Sequence, residues 1–308
     1  MDAKLIAYIV KRGLLAALTV FLVITITFFV MKAIPGGPFL SEKASSAAVT
    51  AQLEEKYGLD KPLMEQYFTY LQGVLRFDFG PSLKMRGRTV SQLMLEGFRT
   101  SGTLGLTAAG IALAVGLTLG AVAAVYHNRW PDRLIMVLST GSVAMPSFVI
   151  ATILLLVFCV LLPWFPPNGS TAAGRVLPVV ALSLYPAAYI TRLTRSGMLD
   201  VLGQDYIRTA RAKGVPAGRL IFKHALKNAV TPVITYLGPM VAYILTGSLV
   251  VENIFSVPGI GGYFYSGIIN RDYPMVMGTT IFLATVLVLM TLLSDIVYKL
   301  LDPRVELA

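Results

Sequence analysis

Long uncharged apolar runs alternate with short charged segments along this chain. A helix needs about 20 mostly apolar residues to cross the ~30 Å hydrocarbon core of a bilayer. Residues 13–31, 100–128, 229–251 and 273–294 each meet that length as one span. The run 134–174 is longer and predicts a helix to about residue 162, followed by the uncharged hairpin Pro163-Trp-Phe-Pro-Pro-Asn-Gly-Ser170. The shortest run, 176–191, reaches spanning length if it begins near Ala173 and carries Arg192 into the headgroups by snorkelling. The pattern predicts an all-α integral membrane protein with six transmembrane helices.

Between the first two spans the chain changes character. Residues 47–57 and 62–75 have helical spacing, with Leu53 and Tyr57 on one face of the first and Leu63, Tyr67, Tyr70 and Leu71 on the second. Turn chemistry flanks them in Pro35-Gly-Gly-Pro38 and Phe77-Asp-Phe-Gly-Pro-Ser82. This predicts a small helical cap on the outer face whose aromatics serve its own packing. In the second span Ala108, Ala112, Gly116, Gly120 and Ala124 recur every fourth residue, a small-residue face on which helix backbones can approach closely. Packing against this chain's own helices is the expectation for that face. Pro146, Pro186, Pro232 and Pro239 fall within later spans, where each removes a backbone donor.

Composition agrees: 56% of the 308 residues are hydrophobic and 14% charged, with mean hydropathy +0.71. Lysine and arginine set the orientation. With the N-terminus inside, the cytoplasmic parts hold fifteen basic residues and the two short outer loops one each, Arg175 and Arg271. The long first outer loop counts little, because long loops translocate largely regardless of charge. Both termini are therefore expected in the cytoplasm. The net charge of +10 reads as topology and attraction to anionic lipid, with no nucleic-acid motif. Cys159, the only cysteine, excludes an intrachain disulfide. The N-terminal run is longer than a signal-peptide core and ends in Lys32-Ala-Ile-Pro35 without a clear cleavage site, so it reads as a retained span. The spans carry almost no ionisable side chains away from their ends, which argues against a proton or ion relay. His127 and His224 are far apart, no metal-ligand set is indicated, and no phosphate-binding loop or nucleophile elbow occurs. If nucleotide powers this protein, another chain binds it.

The cytoplasmic segment between the fourth and fifth spans is patterned beyond a linker. Arg208-Thr-Ala-Arg-Ala-Lys-Gly214, followed by Pro216 and then His224-Ala-Leu-Lys-Asn228, reads as helix, turn, helix. It resembles the coupling motif of ATP-binding-cassette importer permeases, whose general pattern is Glu-Ala-Ala, three residues, Gly, nine residues, Ile-x-Leu-Pro. The glycine is Gly214 and an alanine is kept at Ala210, while Arg208 takes the glutamate place and His224-Ala-Leu-Lys227 the final element. That variant is similar to the form in peptide and nickel permeases. Ala33-Ile-Pro-Gly-Gly-Pro-Phe39, Lys56-Tyr-Gly-Leu-Asp-Lys-Pro62, Asp78-Phe-Gly-Pro-Ser82, Met145-Pro-Ser-Phe148, Val251-Glu-Asn-Ile-Phe-Ser-Val-Pro-Gly-Ile-Gly261 and Asn270-Arg-Asp-Tyr-Pro274 extend the resemblance along nearly the whole chain.

The resemblance implies the type I importer permease fold and the first (B-type) of two permease subunits in the bacterial cytoplasmic (inner) membrane. Its implied parts are residues 1–33 as tail and first helix, 34–98 as extracytoplasmic insertion, 99–300 as a five-helix core with coupling segment 200–228, and 301–308 as cytoplasmic tail. It implies a second related permease, two ATPase subunits holding ATP and magnesium, and an extracytoplasmic peptide-binding protein, with no cofactor and no catalytic site in this chain. Arg208, Thr209, Ala210, Arg211, Ala212, Lys213, Gly214, His224, Ala225 and Leu226 become the coupling residues. Glu252, Arg271 and Asp272, at the outer ends of the last two spans, either meet the binding protein or mark the membrane boundary. Phe79-Gly-Pro-Ser-Leu-Lys84 leans toward oligopeptides as cargo. Dipeptides, nickel complexes and other small solutes are the alternatives within the family, and an ion-coupled secondary carrier is the alternative outside it.

Overall fold

Only a structure that satisfies every backbone donor and acceptor internally is stable in lipid, and the helix does so within a single run. In the computed structural model, which describes residues 3–35, 37, 52, 55 and 58–301, the chain is accordingly helical almost throughout. Among the described residues five helices are long and apolar enough to cross a membrane: Ala7–Ala33, Val90–Val125, Ala173–Leu202, Thr231–Ile254 and Tyr273–Ile296. A sixth crossing is made if helices Trp130–Ala144 and Ser147–Leu161 count as one span broken by a 102° bend.

That bend falls at Pro146, one of the prolines that remove a backbone donor within the run read as a helix to about residue 162. Met145 is extended (φ −89°, ψ 128°) and the next helix starts from Pro146. Proline pushes the residue before it out of the helical region and lacks the N–H that a continuing helix needs, so the helix stops and restarts there. Pro186 and Pro239, by contrast, sit inside continuous helices, and Pro232 occupies the first turn of Thr231–Gly247, where its missing donor has no partner to lose.

The chain divides into two compact units. The first comprises Met1–Ser101 with Pro258–Leu289, the second Gly102–Val257 with Met290–Ala308. In the first unit, helix Leu63–Leu75 sits on the C-terminal end of the first span through aromatic contacts. Tyr67 lies 5.4 Å from both Phe28 and Phe29, and Tyr70 stacks on Phe28 at 5.7 Å. The Thr25 and Tyr67 hydroxyls share a 2.8 Å hydrogen bond, and Lys32 donates to Gln66. Burial pushes the Tyr70 phenol well above the ordinary tyrosine range, so it stays protonated. These aromatics are packing, as expected. Leu63, four residues before Tyr67 and so on the same face, is 44% exposed because it opens the helix directly after Pro62. The helix expected over residues 47–57 lies almost wholly outside the described residues. A cavity of about 330 Å³ in this unit is lined by Phe28, Lys32, Tyr70, Tyr273 and Met277 among others.

In the second unit the small-residue face is an internal seam. Ala108, Ala112 and Ala124 are buried, and so are Gly116 and Gly120, which face helix Val176–Leu202 at Ile190 and Thr194. The core beside them is built from Leu104, Leu182, Ile190, Met240 and Phe255.

Candidate functional site

Eight residues, Asp205–Ala212, form the first helix of the segment between the fourth and fifth spans. The amide of Lys213 reaches the Thr209 carbonyl at 3.0 Å and that of Val215 reaches Ala210 at 3.2 Å, which uses the carbonyls left open at the helix end. Between them Gly214 has φ +76°, a left-handed conformation that costs other residues ~1–2 kcal/mol. Pro216 then starts Ala217–Arg219, which continues through a π-helical stretch, Leu220–Leu226, into Lys227–Ala229. Helix, turn and helix follow the sequence expectation.

Burial sorts the residues of this segment into two groups. Ile207, Leu220 and Ala225 point inward, and Ala225 packs with Ala124, Met198 and Ala229. Arg208, Thr209, Arg211, Ala212, Lys213 and Gly214 are exposed and come together on one knuckle, with Ala210 half-buried behind them. His224, Ala225 and Leu226 do not share that surface; they are half-buried or buried in the second helix and support it. Asn228 donates to the Tyr206 hydroxyl at 2.9 Å, tying the two helices together. The knuckle presents three basic side chains around a backbone made thin by Ala212 and Gly214. Its chemistry suits insertion into a groove lined by carbonyls or carboxylates.

A buried ion pair holds the helix that leads into this knuckle. Asp132, whose side chain is 3% exposed, accepts from Arg195 Nε at 2.6 Å and Arg195 Nη2 at 2.8 Å, and from the Asn128 amide at 2.8 Å. Arg195 also donates to His127 Nδ1 at 3.1 Å. The fork-to-carboxylate geometry fixes the start of Trp130–Ala144 against the last turns of Val176–Leu202. Sequence reasoning missed this cluster because Asp132 and Arg195 are 63 residues apart. The only signal was an acid and a base each near a span end.

Residues 116–307 match the family model described as the binding-protein-dependent transport system inner membrane component, and residues 5–83 match the N-terminal model of the same membrane component. The chain belongs to this family of transport permeases. It is a membrane-embedded permease component and not an ATPase. A Bacillus subtilis dipeptide transport system permease protein is 48% identical over 301 residues, covering 97% of this permease and 98% of the relative. The oligopeptide transport system permease proteins of Haemophilus influenzae and Salmonella typhimurium are 44% and 43% identical, each over 98% of this permease and 100% of its own length. The crystal structure of an amino acid ABC transporter with histidines shares the fold, with a TM-score of 0.51 at 18% identity, covering 70% of this permease and 95% of that chain.

Glu252, Arg271 and Asp272 sit differently from one another. Glu252 is fully buried and bonded to the Ser248 hydroxyl. Asp272, 3% exposed, accepts from the Ser82 hydroxyl and, at 3.2 Å, from the Leu83 amide, and it caps the start of the last helix through the Met275 amide at 3.4 Å. Arg271 is only half-buried; its guanidinium donates to the Pro35 carbonyl at 3.3 Å, and its φ of +56° turns the chain outward. Two of the three therefore shape turns from within, and Arg271 alone has a surface to offer.

Proposed function

We propose that this permease forms half of the translocation path of an ATP-driven peptide importer and receives the work of ATP hydrolysis through the Asp205–Ala212 knuckle. The observation that carries the reading is the exposed, basic, glycine-turned knuckle whose helix starts just past the end of a membrane helix, after Gly203 and Gln204. A helix joined to such a contact through so short a break can convert movement of a bound partner into movement of the span. The partners are a second related permease, two ATPase subunits that bind ATP and magnesium, and an extracytoplasmic binding protein docking where Arg271 reaches the surface. With six crossings both termini lie on one side, and the excess of basic residues puts that side in the cytoplasm of a bacterium.

Peptides are the proposed cargo because relatives matched over their whole length are named for them; oligopeptides are favoured by the resemblance at residues 79–84. Uptake of labelled peptides of graded length, from dipeptide to hexapeptide, and of nickel, in cells with and without this chain, tests the reading. Chain-dependent uptake of the longer peptides is expected. Uptake of dipeptides or nickel alone would replace the cargo and keep the importer.

The coupling assignment has its own test. Ala212→Glu places a carboxylate on an exposed, thin part of the knuckle, where no neighbour within the chain is disturbed. Membrane insertion is expected to be unchanged while ATPase subunits recovered by affinity purification fall about tenfold, the effect of ~1.4 kcal/mol at the interface. Equal recovery with wild type and variant sinks the assignment.

A further inference from the structure

Helix Val176–Leu202 belongs to the most enclosed of the candidate spans, with 50% of its apolar window buried within the protein. Across residues 177–198 the positions left exposed are Tyr185, Tyr189, Arg192 and Ser196. Their spacing of four, three and four places them on one stripe of the helix. A span facing lipid shows the opposite pattern, and the first span does so here: its exposed positions include Leu14, Leu18, Phe21, Leu22, Ile26 and Val30. Unpaired hydroxyls turned toward hydrocarbon carry a desolvation cost that an aqueous or polar surrounding removes.

The stripe continues onto the neighbouring helix. Tyr236 and Tyr243 of Thr231–Gly247 are seven residues apart and share a face. The Tyr236 ring lies 4.4 Å from that of Tyr189, and Tyr185 stacks parallel to Tyr189 at 6.5 Å with an interplanar angle of 13°. Tyr185, Tyr189 and Tyr243 remain 37%, 36% and 60% exposed. The hydroxyls of Tyr185 and Tyr189 bond to no described residue. An interfacial aromatic belt does not account for Tyr185 and Tyr243, which lie at least six residues, or about 9 Å, inside the runs 173–191 and 229–251.

We propose that Tyr185, Tyr189, Tyr236, Tyr243 and Arg192 form the strip of this permease that contacts the travelling peptide. The inference rests on the peptide-import reading and adds the contact residues that reading lacks. Tyrosine suits cargo of varied sequence: its ring packs on any apolar side chain, and its hydroxyl donates to carbonyls or accepts from amides without demanding one partner. Two rotatable side-chain bonds keep the ordering cost low. Arg192, one turn from Tyr189 toward the coupling segment, supplies the positive group for the peptide's terminal or side-chain carboxylate. A few adaptable contacts hold a peptide weakly enough for it to leave again.

The test uses the assembled transporter, with its binding protein, in membrane vesicles and a radiolabelled tripeptide. The photoreactive residue p-benzoylphenylalanine replaces Tyr189 in one sample and Leu18 in another. Expected is a labelled crosslink from position 189, competed by excess unlabelled peptide, and none from position 18. In parallel, Tyr189→Ala is expected to raise the uptake KM about 3- to 10-fold, the loss of one ring contact, while Tyr189→Phe stays close to wild type and the partner subunits copurify unchanged. Where the alanine variant does not assemble, the crosslink decides. A crosslink from position 189 solely to the second permease or to lipid, with uptake intact, overturns the strip and leaves the import reading standing. No peptide uptake by the unsubstituted complex overturns both.

Discussion

Gly120→Leu is expected to stop this permease accumulating in the membrane, while Gly110→Leu ten residues earlier on the same helix is tolerated. The difference lies in what a new side chain meets. A Cβ on Gly120 would stand 2.6 Å from the Thr191 carbonyl oxygen and 2.5 Å from the Thr194 Cβ, and one on Gly116 would stand 2.6 Å from the Ile190 Cβ and 2.9 Å from the Ala187 carbonyl. At Gly110 nothing lies within 4 Å. Because two of the obstacles are backbone carbonyls, a change of rotamer does not relieve the clash; helices Val90–Val125 and Val176–Leu202 must separate. Even Gly120→Ala is expected to cost ~1–3 kcal/mol, the range for overpacking a well-filled interior, and leucine more. In lipid, helix association depends on close packing, so separation removes much of what holds the pair together. Thermal melting of the purified chain, with membrane abundance beside it, checks the prediction; equal stability of the Gly110 and Gly120 variants would show that the seam is not tight.

That seam was legible in the sequence as a face for close helix approach, because a four-residue repeat of small residues on an apolar helix lets backbones come together, within one chain or between two. The spans were legible for the same reason: hydrocarbon thickness fixes their length. Gly214 could be read too, since a helix followed by a glycine and a proline has few ways to continue. What local pattern could not supply was the outcome of competition between neighbours. Pro146, Pro186 and Pro239 look alike in sequence, yet the first breaks its helix and the other two do not. Pro186 is buried among its neighbours, but Pro146 and Pro239 are both exposed, so burial alone does not sort the three. Glu252 and Asp272 lie at span ends, where charge ordinarily signals the water boundary, and only the folded chain shows them turned inward as acceptors. The tyrosine strip was hidden differently. Tyr185 and Tyr189 are unremarked in an apolar run until the rest of that helix is seen to be covered.

Asp132→Ala is the substitution expected to separate folding of the core from control of the coupling segment. It removes both hydrogen bonds to Arg195 and leaves that guanidinium, whose side chain is 21% exposed, without its carboxylate. Breaking a buried pair by removing one partner costs ~3–5 kcal/mol, and the partial exposure of Arg195 puts the expected loss near the lower end. His127 does not replace the acid, since it offers Arg195 one ring nitrogen at 3.1 Å and no negative charge. Removing both charges is a different experiment. In Asp132→Leu with Arg195→Met no uncompensated charge remains, and most of the lost stability is expected to return. Transport is not expected to return with it. Arg195 lies seven residues before Leu202, where its helix ends just ahead of the Asp205–Ala212 knuckle, so under the proposed coupling the pair fixes the lever through which a partner's movement would reach the span. The double variant should therefore melt close to wild type, retain its ATPase subunits and hydrolyse ATP with little peptide uptake. Full uptake in that variant would reduce the ion pair to a stabilising contact and place control of the lever in the packing of Ala225 against Met198.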